Sequence, residues 1–281
     1  GRERLLEVVS HYGPDRTAAY MAELQNYAER LTRRCIGEIP DGTYAFTDYM
    51  DNDGIDLGRR IPITAKVIIA GSDVTVDFTG THPQVRGPIN APWSGGAGAA
   101  YYAIRCVTDP SLPNNQGCYR PIQVIIPKGC LLNPRHPAPV AIRAHTLKRA
   151  ADTVLGALVQ AVPERVPAAP AGSISCVSFG GTDAKTGLPF GLSDIVAGGS
   201  GGWPGGDGVE VVDTDVSNCM NIPAEAVEMN YPLRVMRTRL RCDSGGAGRF
   251  RGGSGVERVL RATRGQVTCS YRSERHFTGA W

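Results

Sequence analysis

Between Ile61 and Phe78 the apolar residues fall on every second position: Ile61, Ile63, Ala65, Val67 and Ile69, then Val74, Val76 and Phe78 after a break at Gly71 to Asp73. A period of two sends alternate side chains to opposite faces of extended chain, and the glycine break between the runs predicts an antiparallel hairpin with one apolar face. On either side the spacing becomes helical. Over 14–38, Tyr20, Leu24, Tyr27, Leu31 and Cys35 share one face, with Asp15 as N-cap after Pro14. Over 145–162, Leu147, Ala151, Val154, Leu158 and Val162 do the same before Pro163 stops the helix. A further strand is expected at Ile122, Val124 and Ile126. The glycine- and asparagine-bearing stretch 79–119 carries a short helical patch around "AAYYAIRCV", and strands are expected at 233–241, 256–262 and 267–272. The implied fold class is α+β: mixed, mostly antiparallel sheets with a few packed helices and long glycine-rich loops. A soft boundary separates a helix, hairpin and polar-loop region, 1–170, from a glycine-rich β region, 171–281, the two forming one catalytic body.

The 281 residues suffice for a sizeable core, and 42% hydrophobic with 20% charged residues excludes a disordered chain or a coiled coil. A net charge of +3 with Lys66, Lys128, Lys148 and Lys185 as the only lysines leaves no dense basic stripe for nucleic acid. No apolar run approaches the roughly 20 residues of a membrane span. The eight cysteines are scattered and form no CxxC, so zinc-ribbon and thioredoxin chemistry is excluded and a reduced, cytoplasmic protein is expected. The start, "GRERLLEVVSHYG", has no initiator Met and opens in what reads as a helix, the expectation being a fragment or a processed subunit.

Residues 243–255, "DSGGAGRFRGGSG", invite a phosphate-binding reading, but no lysine follows as GxxxxGK[ST] requires, and GxGxxG is not completed at Arg251 or Arg258. What remains is a turn in which Asp243 holds backbone N–H groups, with Arg249 and Arg251 free to meet a partner or an anion. His11, His82, His136, His145 and His276 show no two-ligand spacing, so no metal ligands are assigned. Three carboxylates are candidate catalysts: Asp207 in "PGGDG", and Glu225 with Glu228, which share a face if helical and then raise one another's pKa, although such pairs also occur on solvated helices. Neither "GGSGG" nor "GGSGV" meets the context of a nucleophile elbow. Asn90, Asn115 and Arg143 suit directed hydrogen bonds to a polar substrate, or equally the fastening of the long loop to the core.

Five blocks in order, "VDFTGTHPQVRGPINAP", "YYAIRCVTDPSLPNNQGCYRPIQVIIPKGCLLNPRHPAPV", "RAHTLKRAADTVLGAL", "NIPAEAVEMNYPLRV" and "DSGGAGRFRGGSGVER", resemble the hydantoinase B family. That family comprises the B-type subunits of ATP-dependent hydantoinases, the matching half of 5-oxoprolinases and alpha-type subunits of acetone and acetophenone carboxylases. The matching positions include Asp77, Gly80, Gln84, Gly87 and Asn90, then Asn115, Gly117, Pro121, Pro127 and Gly129, then Arg143, Glu225, Glu228, Asp243 to Gly246, Arg249, Arg251 and Gly252. The resemblance implies an A-type partner that binds ATP and phosphorylates the amide or ketone oxygen. It also implies a divalent metal whose His and Asp ligands lie in a segment N-terminal to this one or on a separate chain, and a truncation at both ends. The expected activity is ATP-dependent opening of cyclic amides such as hydantoins, oxoproline or lactams. The alternatives are ATP-dependent ketone carboxylation and a noncatalytic assembly role.

Overall fold

A computed structural model describes all residues, 1–281. The hairpin forms as expected: β2 (Ile61–Ala70) pairs antiparallel with β3 (Asp73–Asp77), and the alternate residues from Ile61 to Ile69 are buried. Each such Ile or Val contributes roughly 1.5–3 kcal/mol by leaving water. Two further strands complete a sheet of order β1-β2-β3-β4. β1 (Gly42–Met50) was not anticipated, because the face it shares with the core reads Tyr44, Phe46, Asp48, Met50, and the buried Asp48 masks the apolar alternation. β4 (Ile122–Ile125) runs parallel to β3, the only parallel pairing in the chain. Parallel neighbours need a crossover, and α3 (Trp93–Val107) supplies it, longer than the helical patch expected there.

α3 and α4 (Arg143–Leu158) pack on each other, and α4 lies on β1 and β2. Small residues set these distances: a Cβ at Gly156 would come 2.5 Å from the Phe46 ring, and one at Gly95 2.9 Å from Leu147. Thirteen of the sixteen residues of α4 are buried, its polar ones included. The long helix α2 (Pro14–Ile36), which follows α1 (Arg2–Tyr12), departs from expectation twice. Gly13 is the residue before it and Pro14 opens it, so Asp15 sits within the first turn, where its charge favours the positive helix end. It also buries Thr17, Ala28, Thr32 and Ile36, leaving Tyr20, Leu24 and Tyr27 exposed. The reason is proximity. The 3-10 turn Gln116–Tyr119 lies against α2 so closely that a Cβ at Gly117 would meet Gln25 O at 1.9 Å.

The remaining chain forms a three-stranded antiparallel sheet, β6 (Pro189–Ile195), β5 (Cys176–Thr182) and β9 (Val267–Arg272), and a two-stranded ribbon, β7 (Leu233–Leu240) with β8 (Val256–Ala262). The short α5 (Ala224–Asn230) packs on β7. The large core draws on residues from Ile36 to Val166, whereas the second region has a small cluster of Leu192, Val227 and Leu233. Interlocked glycine backbone helps to hold this second region. Gly253 N donates to Ser200 O at 2.9 Å, Gly208 N to Arg251 O at 2.7 Å and Ala171 N to Gly199 O at 3.1 Å. A Cβ at Gly199 would sit 1.9 Å from Gly253 O, so these segments approach more closely than any side chain allows.

Candidate functional site

α4 presents two opposite faces. Leu147, Ala151, Val154 and Leu158 lie on one; on the other, His145, Lys148, Arg149 and Asp152 recur at i, i+3, i+4 and i+7. Such a charged stripe ordinarily meets water, but all four of these side chains are buried. Their partners arrive from three distant parts of the chain. Lys148 Nζ pairs with Asp213 Oδ1 at 2.8 Å, with side-chain exposures of 1% and 4%, and also donates to the Thr214 and Asp215 carbonyls. Arg149 pairs with Asp48 of β1 at 3.1 Å. Arg275 bridges Asp152 at 2.8 Å and Asp48 at 3.4 Å. Beyond β9, Glu274 pairs with Arg272 and accepts a 2.8 Å bond from Asp51 N, while Asp51 Oδ2 accepts from His276 N at 2.8 Å. The network therefore ties the first sheet to the end of the second region.

Within it Asp152 and Asp215 lie close enough to influence one another. Burial, then the Asp215 charge, pushes the Asp152 carboxyl up to about 8, and burial raises Asp215 as well. In so dry a setting each carboxyl disfavours ionisation of the other, while the Arg275 and Arg149 charges beside Asp152 and the Lys148 charge beside Asp215 oppose that shift. Asp215 Oδ1 accepts from the Tyr102 hydroxyl at 3.3 Å. Both acids, with Tyr102, Cys106 and Trp281, line a cavity of about 100 Å³, and Asp152 Oδ1 has no hydrogen-bond partner. The segment that delivers Asp215 is strained: Val211, Asp215 and Val216 all adopt positive φ, at 47°, 56° and 35°.

A larger cleft, about 600 Å³, opens beside the start of α4 and is floored by the three-stranded sheet. The register places Ser193, Ser178 and Ser270 side by side across β6, β5 and β9, with Cys176 and Arg272 in the next row on the same face. Ser178 Oγ lies 2.9 Å from Ser193 Oγ. His145 closes one wall, 2% exposed, its Nδ1 3.4 Å from Ser173 Oγ and its Nε2 without a partner. Burial, followed by the positive charges of Arg272, Lys148 and Arg149, lowers His145 to about 4, so the ring is neutral at pH 7. Arg272 Nε is likewise buried and unpartnered, while Nη2 is held by Glu274 and Asn52 O.

The residues singled out from sequence lie elsewhere; none of them lines this cleft. Asn90 is wholly buried, its Oδ1 accepting from Val85 N at 2.8 Å and its Nδ2 facing the Val85, Gly87 and Pro139 carbonyls at 2.9, 3.1 and 3.0 Å. Asn115 caps the 3-10 turn through Gly117 N and donates to Leu24 O of α2. Arg143 is exposed at the start of α4 and donates to Val140 O. Asp207 accepts from Arg251 N at 2.7 Å on the surface of the glycine-rich layer, which places it with Arg251, itself paired to Glu210 at 2.7 Å. Glu225 and Glu228 are exposed on α5, three residues apart as expected, and Glu228 accepts from Val235 N. In the 243–255 turn the tie is made by Ser244, not Asp243. Ser244 Oγ donates to Arg241 O and accepts from Gly255 N, whereas Asp243 takes φ 56° at the surface. Arg249 is exposed, its guanidinium 5.5 Å from the Phe250 ring centre.

What was missed is the buried charged face of α4. Its i, i+3, i+4, i+7 spacing is visible in "HTLKRAAD", but the partners that distinguish a buried network from a solvated face are remote in sequence. Asp48 stands 101 residues from Arg149, Thr214 stands 66 from Lys148 and Arg275 stands 123 from Asp152. No three His, Cys, Asp or Glu side chains converge to hold a metal ion. Of the carboxylates around α4, Asp48, Asp152, Asp213 and Glu274 are each paired with a cation, so these four do not fit the divalent metal that the resemblance implies. No helix is long and apolar enough to cross a membrane.

The chain is 39% identical over 272 residues to a protein of Pseudomonas sp. (strain NS671) named for the B-type subunit of a D-/L-hydantoinase, covering 92% of this chain and 45% of that one. The crystal structure of the ATP-dependent caprolactamase from Pseudomonas jessenii superposes with a TM-score of 0.85 at 32% identity, over 92% of this chain and 46% of the other. A nucleotide-free acetone carboxylase shares the fold with a TM-score of 0.89 over the whole of this chain and 40% of the other, at 19% identity. The chain thus spans about half the length of the hydantoinase and caprolactamase relatives it matches, and about a fifth of the 5-oxoprolinases. With the family model for hydantoinase B/oxoprolinase matching residues 1–281 throughout, the chain belongs to the hydantoinase B/oxoprolinase family.

Proposed function

We propose that the chain is part of the B-type subunit of an ATP-dependent enzyme that opens cyclic amides, such as hydantoins, oxoproline or lactams. The observation that carries this reading is the match of all 281 residues to a family described as hydantoinase B/oxoprolinase, with one relative at 39% identity named for a hydantoinase and another at 32% for a caprolactamase. In this reading ATP is held by an A-type partner, which suits a chain whose glycine loops lack the lysine of a phosphate cradle. Phosphorylation of the ring amide oxygen turns a poor electrophile into one that water attacks; the adduct then breaks its C–N bond, opening the ring as an acyl phosphate with a free amine, and a second water releases the carboxylate and inorganic phosphate. Any metal ligands come from a segment or a separate chain outside these residues. Asp243, Arg249 and Arg251, exposed on the glycine-rich surface, are proposed as a contact for a partner or an anionic group. Asn90 and Asn115 act by positioning the loops around the core, while Asp207, Glu225 and Glu228 remain candidate catalytic carboxylates and Arg143 a candidate substrate contact, all four exposed in this chain. The eight free cysteines agree with a cytoplasmic protein.

The test is turnover by the protein assembled with its A-type partner. Ring opening of hydantoin, 5-oxoproline or a lactam that depends on ATP is expected; no opening of any of them sinks the reading, and labelled bicarbonate appearing in product would replace it with ketone carboxylation.

A further inference from the structure

The unpartnered groups of the larger cleft are unusual, because a buried polar atom left without a hydrogen bond costs about 1–3 kcal/mol unless something completes it. Two such atoms, His145 Nε2 and Arg272 Nε, belong to residues that line the same cleft above one row of serines. They differ in kind. Arg272 Nε is a donor in every protonation state. Ser173 Oγ, 3.4 Å from His145 Nδ1, already receives Ser175 N at 3.1 Å and has Ser175 Oγ at 3.4 Å to take its own proton. An imidazole that donates from Nδ1 to Ser173 leaves Nε2 as an acceptor. Charge argues against an anionic ligand, since Glu274, its side chain 1% exposed, lies 2.5 Å from Arg272 and offsets its charge. The cleft therefore offers one donor and one acceptor without net charge, and hydroxyls on its floor that can serve as either.

We infer that this cleft binds the edge of a ring amide, Arg272 Nε donating to the carbonyl oxygen and His145 Nε2 accepting the ring N–H. A small ring forces its amide cis, so the carbonyl oxygen and the N–H lie on one edge; an open-chain trans amide points them in opposite directions. This assignment rests on the proposed cyclic-amide chemistry for its substrate class, but it locates the site on His145, Arg272 and the Ser193, Ser178, Ser270 row, and it makes His145 and Arg272 selective for an unsubstituted ring nitrogen.

The experiment is direct binding, by calorimetry, of 2-pyrrolidinone, N-methyl-2-pyrrolidinone and N-methylacetamide to the assembled protein without ATP. The expected result is that 2-pyrrolidinone binds about tenfold more tightly than either of the others, the worth of one hydrogen bond, and that His145→Leu makes the two lactams equal. Ser178→Phe, which fills the cleft from a half-buried strand position and leaves His145 in place, should abolish binding of both and keeps the test decisive if the His145 variant does not fold. Equal binding of the two lactams to the unaltered protein, a preference that survives His145→Leu, binding untouched by Ser178→Phe, or no lactam binding would each overturn the assignment. The two readings fail separately: ring opening without this binding pattern leaves the activity and removes the site, whereas the binding pattern without ATP-dependent ring opening leaves the site and removes the activity.

Discussion

Lys148→Met removes one half of a dry ion pair while keeping the length of the side chain. At the observed 2.8 Å the attraction between Lys148 and Asp213 is about 6 kcal/mol at an effective dielectric constant of about 20, most of it offset by the cost of taking both ions out of water. Deleting only the lysine leaves Asp213 buried with that cost uncompensated, and such truncations typically lose about 3–5 kcal/mol. Lys148 also holds the Thr214 and Asp215 carbonyls, in a segment where three non-glycine residues are kept at positive φ. That conformation persists only while its surroundings impose it. We expect Lys148→Met to lower stability by about 3–5 kcal/mol in urea unfolding at pH 7 without changing the denaturant slope. Lys148→Met with Asp213→Leu should recover at least about 2 kcal/mol of it in a double-mutant cycle. A loss under about 1 kcal/mol, or a double variant no more stable than Lys148→Met, would show that the pair does not hold α4 to this segment.

Five further outcomes are expected. His145 refuses in the folded state a proton that the unfolded chain takes between about pH 6.5 and pH 4, so its contribution is present above pH 6.5 and is lost as pH falls through 4, by up to roughly 3 kcal/mol; His145→Gln should flatten that acid limb in thermal melts. Asp152 has the opposite sign: the folded state keeps its proton up to about pH 8, so stability is lost as pH rises from about 4 through 8, and Asp152→Asn should flatten the alkaline limb instead. Gly199→Ala would place a Cβ 1.9 Å from Gly253 O and should cost roughly 3 kcal/mol or more, whereas Gly246→Ala meets nothing within 4 Å and should change Tm little; equal effects would refute the interlocked backbone. Asn90→Asp keeps the acceptor for Val85 N but turns a carboxylate oxygen toward three carbonyls, so it should be less stable than Asn90→Ala, which by itself should lose roughly 1–3 kcal/mol. Arg249→Ala with Arg251→Ala removes an exposed ion pair to Glu210, a hydrogen bond to Ser254 Oγ and the Arg249 contact with the Phe250 ring, and should change Tm little, yet weaken assembly with the proposed A-type partner in a binding assay; unchanged affinity would return the turn to architecture.

Several of the glycines and amides that carry the family resemblance turn out to be contacts of backbone with backbone. Gly117 lets the 3-10 turn meet α2, Gly87 lies where a Cβ would strike Asp53 O at 1.7 Å, and Gln84 clasps both the N–H and the carbonyl of Arg135. These are long-range approaches, which explains why the motifs were visible while their meaning was not. Local period was enough for β2 and β3, for α4 and for the three C-terminal strands, because alternation and helical spacing are set by residues within a few positions of one another. It failed at β1, where Asp48 occupies a core position, and on α2, where Tyr20, Leu24 and Tyr27 of the apolar stripe proved exposed and Leu31 and Cys35 only half-buried. The α+β class, the hairpin and the family were legible along the chain, since each is written in neighbouring residues or in ordered blocks. The burial of the charged face of α4 and the cleft that His145 and Arg272 share emerge with the fold. A charge can leave water only where distant partners arrive to receive it, and Asp48, Asp213, Asp215, Glu274 and Arg275 are brought there by the fold alone.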